Sequence, residues 1–284
     1  KYFIGYKVVW VVVMLLSITS ILTVYSSIVT LAYKHTDGNT FYYLIKHSSF
    51  LIIGLLLTYF THNIKYTYFS KLSQLLLYLS IPLLLLTLVM GSTINDASRW
   101  LTIPILNYTF QTSDLAKFAL IMYLARIISK KQDNIKDFKS AFIPIILPVL
   151  VVCGLILPAN LSTAALLFIT SIILMFIGRV NIKYILSLIG ICVAGLTVVI
   201  LIGMAFPGTI KRVDTWVNRI EDFREGNVTE NYQSEQSKIA IATGGVFGKG
   251  PGKSTQRNFL PHPYSDFIYA IVIEEYGLIG GILL

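Results

Sequence analysis

The carboxylate best placed for chemistry is Asp266, which lies where a polar loop meets the last apolar run of the chain. Pro261 and Pro263 stiffen the approach to it, because each proline fixes one backbone torsion. Ser265 predicts an N-cap, which would put Asp266 in the first turn of the next helix, near its positive end. A carboxylate kept ionised there is suited to act as a general base. The alternative is a purely structural acid, worth about 0.3–1 kcal/mol of helix stability.

Asp114 and Lys117 lie three residues apart at the start of another apolar run. Side chains at this spacing are neighbours on a helix, so they predict a structural ion pair. Thr112 or Ser113 is expected to cap the same helix. A charge in the bilayer costs about 2.5–3.5 kcal/mol on insertion scales, so Lys117 needs a partner or a wet cavity. In the second interpretation, Lys117 faces a cavity and binds an anionic substrate.

Other polar segments suggest places for substrate binding. Residues 210–223 alternate apolar and basic side chains at helical spacing, which is typical of an amphipathic helix on a membrane surface. This segment either only anchors the chain at the membrane surface, or Arg212 or Arg219 on it binds a lipid phosphate. The segment 232–243 predicts a second short helix. It carries the polar residues Gln233, Gln236 and Ser237.

Residues 244–254 form a glycine-rich segment that ends in Gly-Lys-Ser, like a nucleotide-binding P-loop. A P-loop is excluded, because Phe247 stands where its first glycine is required and no strand is predicted before it. The segment still offers many backbone N–H groups, which together with Lys249 would suit a pyrophosphate. The alternative is a flexible loop that binds nothing.

Two further polar sets allow structural interpretations. Asn160 or Ser162 is expected to cap a helix after a tight turn. Glu274 and Glu275 lie about two turns into the last apolar run, where acids indicate either function or a buried pair.

Composition places all these residues in a membrane protein. Of 284 residues, 55% are hydrophobic and only 13% are charged, against roughly 25% charged in soluble domains. A soluble enzyme, a disordered tail and a fibrous protein are therefore excluded. The net charge of +9 fits basic loops beside anionic lipid, and we expect no nucleic-acid partner. Cys153 and Cys192 lie in apolar runs and are expected to act as buried small hydrophobic residues.

Apolar runs predict the membrane spans, because a bilayer core requires about 20 residues per helix. The second and fourth runs are short and are expected to extend into their flanks, and both chain ends are expected to be truncated. The predicted spans are 8–32, 49–61, 72–91, 114–128, 141–157, 161–178, 184–206 and 267–284.

Lysine and arginine predict the orientation, because basic residues are enriched in cytoplasmic loops. The short loops on one side carry most of them, whereas those on the other carry only Lys34, Lys46 and Arg99. The N-terminus is therefore predicted to be cytoplasmic, with residues 92–113 and the long loop 207–266 outside.

The polar motifs together resemble the SEDS family (shape, elongation, division and sporulation), the FtsW/RodA/SpoVE glycosyltransferases of bacteria. The match is closer to the division member FtsW than to the elongation member RodA. It rests on residues 98–100 with 110–117, on Tyr232-Gln233, Gln236-Ser237 and 239–241, on 244–250, on Leu260-Pro261, on 265–268 and on 274–280.

The resemblance implies an all-α, ten-helix membrane fold, of which the chain covers about eight helices as one domain over 1–284. The loop 207–266 separates helices seven and eight. It also implies a multi-pass protein of the bacterial inner membrane, with its active site on the outer face. There it would polymerise lipid II into β-1,4 glycan strands for septal cell-wall synthesis and release undecaprenyl pyrophosphate. A class B penicillin-binding protein, other divisome proteins and membrane lipid are the implied partners, and a related function in cell shape belongs to the same family.

The resemblance also assigns roles to residues. The essential aspartate of the family falls on Asp266, its Arg-Trp pair on Arg99 and Trp100, and its membrane lysine on Lys117. No metal site is predicted, although a divalent cation, Mg²⁺ or Mn²⁺, could help to neutralise the pyrophosphate. We expect Asp266 and Lys117 to line one cavity.

The chain departs from the family pattern at three places. Thr112-Ser113-Asp114 replaces Pro-Ser-Glu, and Asn160 replaces an acid. Tyr264-Ser265 stands before Asp266 where the family commonly has His-Thr. Two alternative functions remain: a lipid II flippase or other transporter, and a glycosyltransferase that uses a different polyprenyl-linked sugar. Transporters usually place coupling charges near the bilayer midplane, whereas the polar residues here gather toward one face.

Overall fold

The computed structural model describes residues 7–35, 38–94, 97–103, 108–205, 228–260 and 263–284. In chain order the elements are α1 (Lys7–Ser27), α2 (Val29–His35), α3 (Thr40–Asn63), α4 (Tyr66–Met90), β1 (Ser92–Ile94), β2 (Ala97–Ile103), β3 (Tyr108–Gln111), α5 (Thr112–Lys130), α6 (Ile143–Ile156), α7 (Leu161–Ile177), α8 (Ile182–Ala205), α9 (Val228–Gly244) and α10 (Ile268–Leu283). A π-helical turn, Phe138–Phe142, leads into α6. Two short 3₁₀ helices lie at Gln132–Asn134 and Gln256–Asn258.

The chain divides into two compact units, which we describe separately. The first unit comprises Lys1–Asn63 and Asn218–Leu284, and so contains α1 to α3 with α9 and α10. The second unit comprises Ile64–Val217, and so contains the three strands with α4 to α8.

The helices confirm the predicted all-α membrane fold, because every predicted span coincides with a helix. Among the described residues, Lys7–Ser27, Thr40–Asn63, Tyr66–Met90, Phe138–Ile156 and Ile182–Ala205 are long and apolar enough to cross a membrane. Leu161–Ile177 is a shorter apolar helix. The two short runs extend into their flanks as expected, since α3 begins at Thr40 and α5 at Thr112. The first predicted span is interrupted at Ile28, between α1 and α2.

The core of the second unit surrounds α5, which packs against α4, α6 and α7. Its centre is lined by fully buried aliphatic side chains such as Leu120, Leu124 and Ile145. Large apolar side chains on the outer faces of α6 and α7 are exposed, including Leu147 and Leu166. Helices that are apolar on all sides fit a lipid environment. Both cysteines are free thiols: Cys153 is buried as predicted, whereas Cys192 is only half-buried.

The segment before α5 contains a small antiparallel sheet of order β1-β2-β3, which the sequence analysis did not predict. Strands β2 and β3 pair Trp100 with Gln111 and Leu101 with Phe110. Strands this short give little period-two signal, although their Thr, Ile, Trp and Tyr residues favour extended structure. The sheet leads the chain directly from β3 into the first residue of α5.

The cap predicted for α5 is wrong, whereas the one predicted for α7 is confirmed. The N-cap of α5 is Gln111, whose side chain makes no capping hydrogen bond. Thr112 is already helical, and its buried hydroxyl pairs with that of Thr87 on α4, with 2.8 Å between the two oxygens. The cap at Asn160 is confirmed, because its Oδ1 accepts a hydrogen bond of 3.2 Å from the backbone N–H of Thr163.

In the first unit, helix α10 is broken at Gly277, where φ is 72° and ψ is −175°. Backbone groups of the glycine-rich loop form hydrogen bonds with the backbone groups that lose their helical partners at this break. The N–H groups of Lys249 and Gly250 donate to the carbonyls of Glu274 and Glu275, both at 2.9 Å. The N–H of Leu278 in turn donates to a loop carbonyl at 2.9 Å. The loop is therefore a packed element, because its N–H groups satisfy carbonyls that the kink exposes.

We predict that Gly277→Ala destabilises the protein by about 2 kcal/mol or more, since a positive φ strains any residue with a Cβ atom. The added Cβ would also overlap the carbonyl of Val246 and the backbone N of Gly248. Gly154→Ala is the matched control, because Gly154 is an exposed helical glycine of α6 with nothing near its Cβ position. Thermal unfolding in detergent measures both variants. Equal midpoints for the two would contradict the proposed role of the kink.

Candidate active site

Asp266 lies in a turn, residues 263–267, immediately before α10, and its side chain is exposed. The predicted cap is wrong here, because α10 begins at Ile268 with Phe267 as its N-cap. The carbonyl of Phe267 accepts the first helical hydrogen bond, from Ile271 N–H at 3.2 Å, so Ser265 and Asp266 both precede the helix. Asp266 still lies close to the positive end of α10. An exposed carboxylate at such a place is free to exchange protons with a substrate.

Helix α9 carries the three polar residues that were predicted for substrate binding. It extends from Val228 to Gly244, somewhat beyond the predicted segment, and packs against α10. Gln233, Gln236 and Ser237 are half-buried on it, and the hydroxyl of Ser237 donates to the carbonyl of Ser234 at 2.8 Å. Gln233 and Gln236 bring side-chain amides, which both donate and accept hydrogen bonds, to this helix.

Glu274 is fully buried and accepts hydrogen bonds from the segment that follows the glycine-rich loop. Lys249 Nζ lies 2.6 Å from its Oε1 and forms a salt bridge. The N–H and hydroxyl of Thr255 donate to the same oxygen at 3.1 and 2.9 Å. Its other oxygen accepts from the hydroxyl of Ser254 and from the N–H of Gln256. A buried carboxylate requires this degree of pairing, because an unpaired charge there costs several kcal/mol.

Glu275 is also buried and connects the loop to α1. It accepts from the hydroxyl of Ser26 on α1, and more weakly from the N–H of Ser254 at 3.4 Å. Arg257 donates from Nη1 to the carbonyl of Ser26 at 3.0 Å, which brings a second cation close to the buried acids. Local sequence patterns do not point to Ser26, Ser254 or Arg257 as members of this site, because their partners lie far away along the chain.

Lys249 therefore has a partner within the fold. It was predicted to bind a substrate anion, but its ammonium group contacts Glu274 and also lies 3.1 Å from the hydroxyl of Thr255. Its side chain as a whole is 30% exposed. A role in substrate binding would have to coexist with the structural pair.

In the second unit, Lys117 and Asp114 form the ion pair that their spacing predicts, with Nζ 2.7 Å from Oδ1. Both side chains are partly exposed, so the pair is accessible to water. Trp100 is half-buried on β2, opposite Gln111. The side chain of Arg99 lies outside the described residues, as does Arg212 with the whole predicted amphipathic helix 210–223.

The predicted site residues thus fall in both units. Asp266, Lys249 and the polar residues of α9 belong to the first, whereas Trp100, Asp114 and Lys117 belong to the second. The expectation that Asp266 and Lys117 line one cavity stays a prediction. In the part of the chain that is described, no three His, Cys, Asp or Glu side chains come together as a metal site.

We predict that Lys249→Met destabilises the protein by about 3 kcal/mol, because it leaves Glu274 as an unpaired buried charge. Lys253→Met in the same loop removes an exposed lysine and should change stability by at most about 0.5 kcal/mol. The double variant Lys249→Met with Glu274→Gln should recover part of the loss, since the buried group is then neutral. Glu274→Gln alone completes the cycle. Denaturation midpoints of the five proteins, including the unmodified one, test the pair, and additive effects of Lys249→Met and Glu274→Gln would argue against it.

Comparison with known proteins places these features in a family. Residues 6–284 match the family model FtsW/RodA/SpoVE, described as "Cell cycle protein". Over 278 residues the chain is 32% identical to stage V sporulation protein E of Bacillus subtilis, which covers 96% of this chain and 73% of that protein. It is 28% identical over 277 residues to a probable peptidoglycan glycosyltransferase FtsW of Aliivibrio salmonicida. That match covers 96% of this chain and 66% of the relative, so the chain spans just under two thirds of the relative's length.

The fold has a solved counterpart. One chain in a structure described as "Structural coordination of polymerization and crosslinking by a peptidoglycan synthase complex" matches with a TM-score of 0.61. The match covers 94% of this chain and 72% of that one at 20% identity, which establishes a common fold alone. Together with the match of the family model over nearly the whole sequence, this shows that the chain belongs to the FtsW/RodA/SpoVE family of membrane proteins.

Proposed function

We propose that the protein is a peptidoglycan glycosyltransferase that polymerises lipid II for septal cell-wall synthesis. Curated relatives in the family carry the name probable peptidoglycan glycosyltransferase FtsW. The observation that carries the proposal is the exposed carboxylate of Asp266 at the start of α10. It differs from Glu274 and Glu275, which are buried and hydrogen-bonded within the fold and thus unsuited to proton exchange with a substrate.

In the proposed reaction, Asp266 acts as a general base. Its carboxylate takes the proton from the 4-hydroxyl of the GlcNAc of an incoming lipid II. The hydroxyl oxygen attacks C1 of the MurNAc at the end of the growing strand, and the bond from C1 to the pyrophosphate breaks. Undecaprenyl pyrophosphate leaves with the bonding electrons, and the linkage changes from α to β in one displacement. An inverting reaction of this kind needs one base and no covalent intermediate.

The departing pyrophosphate needs positive charge near it. In this proposal Lys117 and Arg99 supply that charge, assisted by Arg212, while Trp100 and the polar side chains of α9 contact the sugars. Lys117 is paired with Asp114 but remains partly exposed, so it can bind a second anion. We also propose that a divalent cation accompanies the pyrophosphate. The described residues offer no three-ligand protein site for it, so no step is assigned to it.

The proposal includes a location and partners. The protein lies in the inner membrane of a bacterium with its N-terminus in the cytoplasm, and polymerisation takes place on the outer face. A class B penicillin-binding protein crosslinks the new strand beside it, together with other divisome proteins. Support comes from the solved chain of similar fold, which is part of a peptidoglycan synthase complex.

We predict that Asp266→Asn lowers polymerisation of purified lipid II by about 10²–10⁴-fold, the usual contribution of a general base. Asp133→Asn is the matched control, because Asp133 is an exposed aspartate in the 3₁₀ helix after α5. It should polymerise at the rate of the unmodified protein. Gel analysis of the glycan products from labelled lipid II measures both rates, and thermal unfolding verifies that the variants are folded.

The same assay separates the alternatives. Retained polymerisation by folded Asp266→Asn would refute Asp266 as the base. Movement of lipid II across vesicles without polymer from the unmodified protein would indicate a transporter. No reaction with lipid II, but reaction with another polyprenyl-linked sugar, would indicate a different glycosyltransferase.

A further inference from the structure

The second unit contains a cavity of about 570 Å³ where α4 begins and α5 ends. This is the opposite end of α5 from the sheet and Lys117, so none of the proposed catalytic residues line it. Hydroxyl groups, aromatic rings and two cations share the cavity wall. The lining residues are Tyr66, Phe69, Ser70, Met122, Ala125, Arg126, Ser129 and Lys130.

Arg126 is held in position on the wall of this cavity. Its Nη1 donates to Oε1 of Gln74 on α4 at 2.9 Å. The amide of Gln74 is itself oriented, since its Nε2 donates to the hydroxyl of Tyr78 at 3.1 Å. A guanidinium has five N–H donors, so several remain for a ligand. Among the described residues no carboxylate forms a salt bridge with Arg126.

Lys130 adds a second cation in the last turn of α5, and its side chain is exposed. It too has no carboxylate partner in the described ranges. The positive end of the α4 dipole and the negative end of the α5 dipole lie together here, and their partial charges largely cancel. The charge of the cavity therefore comes from its side chains.

The surroundings of the cavity are basic as well. The loop after α5 contacts the turn after α7, where Gln132 Nε2 donates to the carbonyl of Gly178 at 3.3 Å. Both loops therefore lie at the same end of the unit. The described basic residues of these loops and of the adjoining helix ends are Lys65, Lys71, Lys131, Lys136, Lys139, Arg179 and Lys183, against the acids Asp133 and Asp137. This imbalance would attract an anion to the cavity from solution or from a membrane surface.

We propose that this cavity is a binding site for a phosphate ester, with Arg126 as its principal ligand and Lys130 as its second. The planar fork of a guanidinium matches two phosphate oxygens, whereas an ammonium adds a point charge. Ser70, Ser129 and Tyr66 supply hydroxyl donors around the phosphate. Phe69 and Met122 supply apolar wall, which suits the glycerol and first acyl carbons of an anionic phospholipid. The site is independent of the proposed polymerisation, because it uses none of the same residues.

The test measures binding to the full chain purified in detergent by microscale thermophoresis. The probes are dioctanoyl phosphatidylglycerol, dioctanoyl phosphatidylcholine and glycerol 3-phosphate. The variants are Arg126→Gln and Lys130→Gln. Lys183→Gln is the matched control, because Lys183 belongs to the same basic surroundings but does not line the cavity. Arg126→Gln also changes the contact with Gln74. Lys130→Gln tests the site without that change, because Lys130 is exposed at a helix end.

We expect Arg126→Gln to weaken phosphatidylglycerol binding by about tenfold or more, and Lys130→Gln by about threefold, as charged hydrogen bonds predict. Lys183→Gln should change it less than about twofold, and phosphatidylcholine should bind more weakly than phosphatidylglycerol. Binding of glycerol 3-phosphate that depends on Arg126 would support the same site with a water-borne ligand. Absence of binding by both anionic probes would overturn the proposal. So would equal affinity of the two cavity variants and the unmodified protein, or an equal loss in Lys183→Gln.

Discussion

The packing of the first unit depends on two carboxylates that are buried in an apolar helix. Glu274 and Glu275 are almost completely removed from solvent, so each oxygen needs a donor from the protein. The donors come from Lys249, from the backbone and hydroxyls of residues 254–256, and from Ser26. These contacts attach the glycine-rich loop and α1 to α10. Loss of any one of them takes a donor from a buried carboxylate, and for this reason we expect the network to act as a unit.

The kink at Gly277 follows from the same requirement. A continuous α10 would satisfy its own carbonyls and give the loop no backbone acceptors. The positive φ of Gly277 frees the carbonyls of Glu274 and Glu275, and the N–H groups of Lys249 and Gly250 bind them. Side chains and main chain of the two glutamates are thus held by the same loop. In the proposed reaction the general base is an acid outside this network, Asp266, which is exposed just before the helix.

The sequence was a good guide where a single period or a short spacing decides the structure. Every predicted span is a helix, the Asp114–Lys117 pair forms at its helical spacing, and Asn160 caps α7. It was a poor guide where distant segments compete for the same groups. The Thr112 hydroxyl pairs with α4 instead of capping its own helix, and the turn before α10 takes up two residues that the capping pattern assigned to the helix.

The hydrogen-bond partners of Glu274 and Glu275 could not be predicted from local sequence patterns, because they lie far away along the chain. Ser26 lies 249 residues from Glu275, and Ser254 lies 20 residues from Glu274. The glycines of the loop suggested a phosphate cradle, yet Gly248 is required because the carbonyl of Glu275 occupies its Cβ position. Two acids in an apolar run were the available signal that a cation and several donors had to be nearby.

The most direct test of the central claim is chemical replacement of the carboxylate at position 266. Asp266→Cys, in a background with Cys153→Ala and Cys192→Ala, is treated with iodoacetate or with iodoacetamide before lipid II is added. Iodoacetate adds a carboxylate to the new thiol, whereas iodoacetamide adds a neutral amide of nearly the same size. The account predicts that the cysteine variant is inactive and that only iodoacetate restores polymerisation. Polymerisation by the untreated variant, or equal recovery with both reagents, would contradict it.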